Sequence, residues 1–196
     1  MSTLSFAAPA GLYQPELAGP DDLPTIQELF DDARSWLSKK NTDQWAAPWP
    51  SEHARNDRIR ASLAAGSTWI MRDGLTPVAT VTAQGTPCRD GLWLPEELER
   101  PALYLHRLIV RRSHAGKGIG AWLIDWASWR AVQKYAAESI RIDVWTTNIA
   151  LQKYYQGLGF QWLRNEDAVP GNPSGALYAR PISRTGPPVT TTHGTP

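Results

Sequence analysis

Residues 103–160 decide the fold of this chain, through the runs LYLHRLIVRRSHAGKGIGAWLIDWASWRA at 103–131 and IRIDVWTTNIALQKYYQGLGF at 140–160. The nearly continuous apolar run at 102–110 is typical of a strand buried on both faces. A basic, glycine-rich turn follows at 111–120, and apolar residues at helical spacing predict a helix from about 119 to 137. The segment therefore predicts a strand that leads through a glycine turn into a long helix.

Shorter elements are predicted on both sides of this unit. In chain order they are an edge strand at 12–17, helices at 23–37 and 51–65, a hairpin of 67–71 with 77–83, a strand at 140–145, a helix at 149–157, and closing strands at 159–163 and 176–180. The pair Asp73-Gly74 marks the hairpin turn, which we expect to be longer than two residues. Strands that alternate with helices predict an α/β or α+β domain on a mixed central sheet.

Length and composition limit the classes of protein that remain. With 196 residues, 42% of them hydrophobic and 20% charged, the chain has the size and apolar content of one globular domain. We expect this domain to span 1–184 and the stretch 185–196 to be a disordered tail. The formal net charge of +1 argues against a protein that coats duplex nucleic acid.

Three features favour the cytoplasm. The chain has no apolar run near the roughly 20 residues that a membrane-spanning helix needs. No basic residue precedes the short apolar patch near the N-terminus, which argues against a secretory signal. Cys88 is the only cysteine, so no intramolecular disulfide can form, and we expect an ordinary thiol there. These features predict a cytoplasmic protein with no membrane partner.

The glycine turn has the features of an anion site. Gly116, Gly118 and Gly120 allow a ligand to approach the backbone, and the first N–H groups of the following helix have no intrahelical partner. Basic side chains add donors for phosphate: Arg111, Arg112, His114 and Lys117. The spacing fits neither the P-loop nor the dinucleotide fingerprint, because the glycines and the lysine stand in a different order.

Two motifs in the same segment resemble the signature of the GNAT acyltransferase superfamily. The first is a strand ending in L-x-V and then [RQ]-x-x-G-x-[GA]; its positions are filled by Leu108, Val110, Gly118 and Gly120, with Ala115 in place of Arg or Gln. The second is N-x-x-A-x-x-x-Y-x-x-x-G-F, which is matched by Asn148, Tyr155, Gly159 and Phe160, with Ala150 one position early. The resemblance is strong over residues 102–163 and weak over the N-terminal helix pair and the closing strand near 175–181.

The resemblance implies a fold and a co-substrate. The fold is a mixed, mostly antiparallel central sheet with a V-shaped split between two parallel strands, flanked by helices. The co-substrate is acetyl-CoA or another acyl-CoA, bound at the split without a metal; the four histidines also show no metal-ligand spacing. The residues implied in binding it are Leu108, Ile109, Val110, Arg112, His114, Ala115, Gly116, Lys117, Gly118, Ile119, Gly120, Asn148 and Tyr155.

The resemblance also implies catalytic roles. Tyr155 takes the position of the acid that protonates the departing thiolate. His106 stands two residues before the leucine of L-x-V, where many relatives carry a carboxylate, and its ionisation near neutrality suits the base that takes the ammonium proton. Glu99 from the long 84–101 connection, or a water chain, is the alternative base. Tyr154 is interpreted as a packing residue.

Three tryptophans are candidates for the acceptor site. Trp36, Trp45 and Trp49 lie in or beside the proline-broken connection between the first two helices, which in the superfamily forms one wall of that site. A π-lined pocket for an apolar or cationic acceptor is one interpretation, and simple cover for the core is the other.

The predicted function is an acyl-CoA-dependent N-acyltransferase. It would transfer acetyl from acetyl-CoA to a primary amine of a small molecule, by direct attack in a ternary complex. Two alternatives stay open: a non-catalytic module that binds or senses acyl-CoA, and a transferase of the same fold with another donor such as aminoacyl-tRNA. A homodimer is compatible with the sequence, which does not name the acceptor.

Overall fold

A seven-stranded sheet runs through the part of the chain that the computed structural model describes, residues 11–12, 14–88, 91–166 and 173–182. The strands are β1 (Glu16–Leu17), β2 (Thr68–Asp73), β3 (Thr76–Gln84), β4 (Ala102–Val110), β5 (Ser139–Val144), β6 (Gln161–Asn165) and β7 (Ala176–Pro181). Their order in the sheet is β1-β2-β3-β4-β5-β7-β6, and every neighbouring pair is antiparallel except β4 and β5. The mixed, mostly antiparallel sheet implied by the resemblance is confirmed.

Five helices flank the sheet within the described ranges. They are α1 (Leu23–Leu37), α2 (Glu52–Ala64), α3 (Pro95–Leu98), α4 (Ile119–Tyr135) and α5 (Ile149–Gly157). Helix α4 covers the sheet through the largest core cluster, which includes Leu123 and Trp126 of the helix and strand residues such as Leu105. Helix α1 contributes Leu29 to a separate cluster with Ile109 of β4. None of these helices is long and apolar enough to cross a membrane.

Strands β4 and β5 separate after a short stretch of pairing. They pair only from Ala102 with Ser139 to Tyr104 with Arg141, although both strands continue beyond these residues. The burial of β4 follows this separation: its first four residues are buried, and most of the later ones are half-buried. The gap between the two strands is the V-shaped split, and its open end faces the glycine turn.

A bulge in β4 redirects the side chains at the split. The register between β3 and β4 shifts between Thr80 and Thr82, opposite Arg107, whose φ is +49°. Positive φ is uncommon for a residue with a side chain and marks a local distortion of the strand. Because of the bulge, the Arg107 guanidinium reaches α2, where it donates to Ser62 Oγ at 2.8 Å.

Most of the predicted elements are present, with three differences. The edge strand is only Glu16–Leu17, and the 84–101 connection contains the short helix α3. The hairpin turn was wrongly expected to be long: β2 continues to Asp73 and β3 begins at Thr76, so two residues connect them. The tail predicted at 185–196 lies outside the described residues.

Candidate active site

A cavity of about 700 Å³ occupies the split between β4 and β5. One part of its lining is the glycine turn, including Gly116 and Gly118. Another part is the connection between α1 and α2, including Trp45 and Trp49. His106 on β4 also lines it, together with Asp143 on β5 and Tyr155 on α5.

The glycine turn leaves open space at the start of α4. Gly116 and Gly118 have φ values of +80° and +75°, which strain any residue with a side chain, and a Cβ at either position would meet no atom of the described residues within 4 Å. Gly118 is the N-cap of α4, so the free N–H groups of the first helical turn lie directly behind it. The open backbone and the helix terminus together suit a compact anion such as a pyrophosphate.

Gly120 has less space around it than Gly116 and Gly118 have. A Cβ built on it would lie 2.8 Å from the hydroxyl of Tyr154. Tyr154 therefore reaches across to the start of α4 and lines the cavity, with 44% of its surface exposed. Tyr154 thus contributes to the cavity wall as well as packing on Tyr155, and its role as a packing residue stays a prediction.

The basic side chains near the turn differ in position. Arg112 lies over the ring of Trp36 at 3.9 Å, and its backbone N–H donates to Asp32 Oδ2 at 2.8 Å. His114 is held by Asp73, with 3.1 Å between Nε2 and Oδ2. Both residues line the cavity, whereas Lys117 is exposed and is absent from the lining.

Beyond the turn, the lining matches what an acyl-CoA would need. Leu108, Ile109 and Val110 of β4 line the cavity, and along this stretch β4 has no pairing with β5. A ligand with amide groups can hydrogen-bond to such a strand edge, as added peptide strands do. The residues present therefore fit a pyrophosphate at the turn and an amide-containing arm along β4.

His106 and Asp143 form the polar centre of the cavity. His106 Nδ1 lies 3.2 Å from Asp143 Oδ1, and the two side chains are only 11% and 5% exposed. Burial lowers the pKa of His106, but the charge and hydrogen bond of Asp143, with a further contribution from Cys88, raise the pKa from 6.5 to about 9. The expectation of an ionisation near neutrality is therefore not met, because the sequence could not show the contact with Asp143.

Cys88 belongs to the same cluster. It lines the cavity, and Gln84 Nε2 donates to its Sγ at 3.4 Å. Burial raises the pKa of the Cys88 thiol, but interactions with His106 and the charge of Arg107 lower it overall. The expectation of an ordinary thiol is corrected: a lowered pKa increases the fraction of thiolate.

Tyr155 is half-buried among aromatic rings. Its ring centroid lies 5.4 Å from that of Tyr154 and 5.4 Å from that of Phe160, in edge-to-face arrangements. Burial, with smaller contributions from Tyr154 and Asp143, raises the pKa of Tyr155 well above its ordinary value. The hydroxyl therefore keeps its proton across the working pH range.

Asn148 and Glu99 have structural or peripheral positions. Asn148 is buried and caps α5, where its Oδ1 accepts a hydrogen bond from Leu151 N at 2.9 Å. Its amide also donates to Gln44 of the α1–α2 connection, although Asn148 still lines the cavity. Glu99 is exposed at the end of α3 and is not among the lining residues, so its position does not support the role of base.

The three candidate tryptophans all line the cavity, and each ring lies near at least one other side chain. Trp45 stacks on Phe30 with 4.2 Å between ring centroids. The guanidinium of Arg58 lies 5.9 Å from the ring of Trp49, and Trp36 lies beneath Arg112. The prediction that this connection forms a cavity wall agrees with these positions.

The split mixed sheet and the glycine turn at the start of α4 are the two features of the acyltransferase fold that the sequence resemblance implies. The chain belongs to the acetyltransferase (GNAT) family, whose family model matches residues 28–160. A relative in Bacillus subtilis strain 168, an uncharacterized N-acetyltransferase named YesJ, is 24% identical over 144 residues, covering 73% of this chain and 78% of the relative.

Solved structures show the same fold. A GNAT-family acetyltransferase from Listeria monocytogenes superimposes with a TM-score of 0.68 at 20% identity, over 90% of this chain and 99% of the other. The PaiA N-acetyltransferase of Thermoplasma acidophilum, solved in complex with coenzyme A, superimposes with a TM-score of 0.62 at 15% identity, over 87% of this chain and 98% of the other.

Proposed function

We propose that the protein transfers an acetyl group from acetyl-CoA to a primary amine of a small molecule, by direct attack within a ternary complex. The observation that carries the proposal is the continuity of one cavity. It joins the anion-binding turn, the free edge of β4, and the polar pair His106–Asp143 with Tyr155. Membership of the GNAT family and a CoA complex of a related fold support the choice of donor.

The binding roles follow from position. The start of α4, at Gly116, Gly118 and Gly120, holds the pyrophosphate, with Arg112 and His114 nearby. Leu108, Ile109 and Val110 contact the pantetheine arm along β4. When bound, the thioester supplies an activated acyl carbon. The cytoplasm, where acyl donors of this kind are made and used, is the proposed location.

His106 is the proposed base. An ammonium group is not a nucleophile, so the acceptor must lose a proton before or during attack. The Nδ1 atom of His106 faces Asp143, which stabilises the imidazolium that forms when Nε2 accepts this proton. Nε2 is buried, and the interaction of His106 with Cys88 belongs to the same cluster. The same contact raises the pKa of His106 to about 9, so the neutral base becomes the major form only in alkaline solution.

Tyr155 is the proposed acid. Its raised pKa keeps the hydroxyl protonated at the pH where His106 begins to lose its proton. A buried hydroxyl that lines the same cavity can donate this proton to the departing thiolate. In this proposal His106 accepts the proton of the amine, and Tyr155 donates a proton to the thiolate.

A thiol-release screen tests the proposal. Purified protein is incubated with acetyl-CoA and with amines, amino acids, polyamines, aminoglycosides or peptides; free CoA is measured and the acetylated product is identified by mass. We expect CoA release that requires one class of amine and matches product formation mole for mole. Tight binding of acetyl-CoA without any acetylated product would favour the non-catalytic module, and no binding of CoA would favour another donor.

A further inference from the structure

The part of the cavity lined by α2 and the α1–α2 connection, here called the acceptor end, is positively charged. Of the described lining residues, Arg55, Arg58 and Arg107 carry cations there, and Asp143 is the only carboxylate. Asp143 already faces His106 at 3.2 Å, so it offers little attraction to a second cation. Asp43, next to the lining residue Gln44, is directed toward Trp145 Nε1 and the hydroxyl of Thr147. A polyamine or another polycation would meet a net repulsive field at this end.

The three arginines are connected in one row. Residues 55, 58 and 62 recur at helical spacing on α2, so their side chains share a face of that helix. Ser62 at the end of this row accepts the hydrogen bond from Arg107, the residue that follows His106. This hydrogen bond links the end of the row to β4, although Ser62 itself is buried and is not among the lining residues.

The contacts of these arginines keep the guanidinium groups beside the cavity. Arg58 Nη2 donates to the carbonyl of Trp49 at 2.7 Å, which fixes the side chain at the cavity wall. Arg55 pairs with Glu52 at 3.0 Å, but Glu52 is 70% exposed, and an exposed pair of this kind is weak. A guanidinium has five N–H donors in a planar fork, and this geometry matches a carboxylate.

The aromatic rings of the wall are already used by cations of the chain. Arg55 lies 4.9 Å from the ring of Phe30, and Arg58 lies 5.9 Å from the ring of Trp49. Trp36 is approached by Arg112 at 3.9 Å and by Lys40 at 5.3 Å. A cationic acceptor would have to compete with these side chains for the ring faces. These contacts argue against the cationic acceptor that the sequence left open. They favour an acceptor whose body is apolar.

We propose that the acceptor is an amine that also carries a carboxylate, with an apolar body between the aromatic wall and the arginine row. The carboxylate binds Arg58 and Arg55, the body contacts Trp45 and Trp49, and the amine points to His106. This inference rests on the proposed acetyl transfer and specifies its substrate class: amino acids with apolar side chains, and not their decarboxylated amines or polyamines.

Matched acceptors test the charge requirement. The kcat/KM values for L-phenylalanine, L-phenylalaninamide and 2-phenylethylamine are compared at equal concentrations of the unprotonated amine, with spermidine as the polycation. The first three acceptors share the aromatic body and differ in the carboxylate. We expect the amino acid to be preferred by about ten- to a hundred-fold, the range expected for a charge-assisted hydrogen bond. Equal or better rates with the amide, with phenylethylamine or with spermidine would overturn the inference.

Variants locate the charge requirement. Arg58→Gln and Arg55→Gln should each reduce the preference for the amino acid, and Arg58→Lys should restore part of it because the charge remains. Arg60→Gln is the matched control, because Arg60 lies on the same helix but is exposed, pairs with Asp57 at 3.0 Å and does not line the cavity. A thermal-unfolding curve for each variant verifies the fold. A preference that survives both Arg→Gln changes in folded protein would contradict the assignment.

A binding measurement separates this inference from the proposed function. Calorimetry with CoA-loaded protein measures the affinity of 3-phenylpropionate, which has the carboxylate and the ring but no amine. Binding that weakens in Arg58→Gln supports the carboxylate site even if no amine is acetylated, and in that case only the transfer proposal fails. Absence of binding to the wild-type complex, with amines still acetylated, would overturn the carboxylate site and leave the transferase intact.

Discussion

His106 Nδ1 on β4 and Asp143 Oδ1 on β5 lie 3.2 Å apart across the split of the sheet, on strands whose pairing ends at Tyr104 and Arg141. The contact connects the two arms of the split at the point where the cavity is most polar. It also determines the protonation of the proposed base, because a buried imidazole without a carboxylate partner would have a lowered pKa.

The first prediction concerns this contact. In wild-type protein the His106 ring should titrate with a midpoint near 9, as measured from its side-chain NMR signals. In Asp143→Asn the charge is gone while burial remains, so the pKa should fall well below 9. The folded-state pKa of His106 lies above the ordinary value of 6.5. His106 therefore contributes fully to the free energy of unfolding below pH 6.5, and this contribution decreases as the pH rises through 9. An unchanged midpoint in Asp143→Asn would contradict the pairing.

The second prediction concerns the acid. Tyr155→Phe keeps the ring contacts with Tyr154 and Phe160 and removes the hydroxyl that would donate the proton. We expect kcat to fall by roughly 10²–10⁴-fold while the affinity for CoA is unchanged. Tyr154→Phe is the control, because Tyr154 reaches Gly120 and not the proposed acid position. Wild-type kcat for Tyr155→Phe, under conditions where chemistry limits the rate, would reduce Tyr155 to a packing residue.

The third prediction concerns the start of α4. Gly120→Ala places a Cβ 2.8 Å from the Tyr154 hydroxyl and should weaken CoA binding by displacing that side chain. The double variant with Tyr154→Phe removes the clashing atom and should recover part of the affinity. Gly118→Val should weaken binding without such rescue, because its φ of +75° is strained for any side chain. Calorimetry with CoA measures the affinity of the two single variants and of the double variant. Wild-type affinity in folded Gly118→Val would contradict an anion site at this turn.

The fourth prediction concerns Cys88. Direct transfer requires no acyl-cysteine, so protein incubated with acetyl-CoA alone should show no added acetyl mass on Cys88. Cys88→Ala should keep most of its kcat, while the His106 midpoint falls by less than in Asp143→Asn, because Asp143 is the larger cause of the raised pKa. An acetylated Cys88 that forms and decays at the rate of turnover would instead establish a covalent route through this thiol.

The sequence predicted the parts of the site that depend on local order. The glycine turn, the strand before it and the long helix after it are contiguous, so their spacing already placed Gly116, Gly118 and Gly120 at a helix start. The parallel pair β4–β5 followed from the resemblance, and the sheet confirms it.

Contacts between distant segments could not be predicted in the same way. The neighbours of His106 are Asp143, which is 37 positions later, and Cys88 from the long connection, so only the folded sheet brings the three together. The arginine row was also missed, because helix α2 shows spacing but not which face turns to the cavity. The bulge at Arg107 has no glycine to signal it, and it directs that guanidinium to Ser62.

The central claim is that His106, held by Asp143, accepts the proton of the acceptor amine. The most direct measurement is the pH dependence of kcat/KM for wild type and His106→Gln, with an acceptor whose amino group titrates well below the ionisation of His106. For wild type we expect kcat/KM to rise with pH through a midpoint near 9, and for His106→Gln we expect a low value without this rise. The same pH profile in both proteins, with only a lower Tm for His106→Gln, would show that His106 is structural and would contradict the claim.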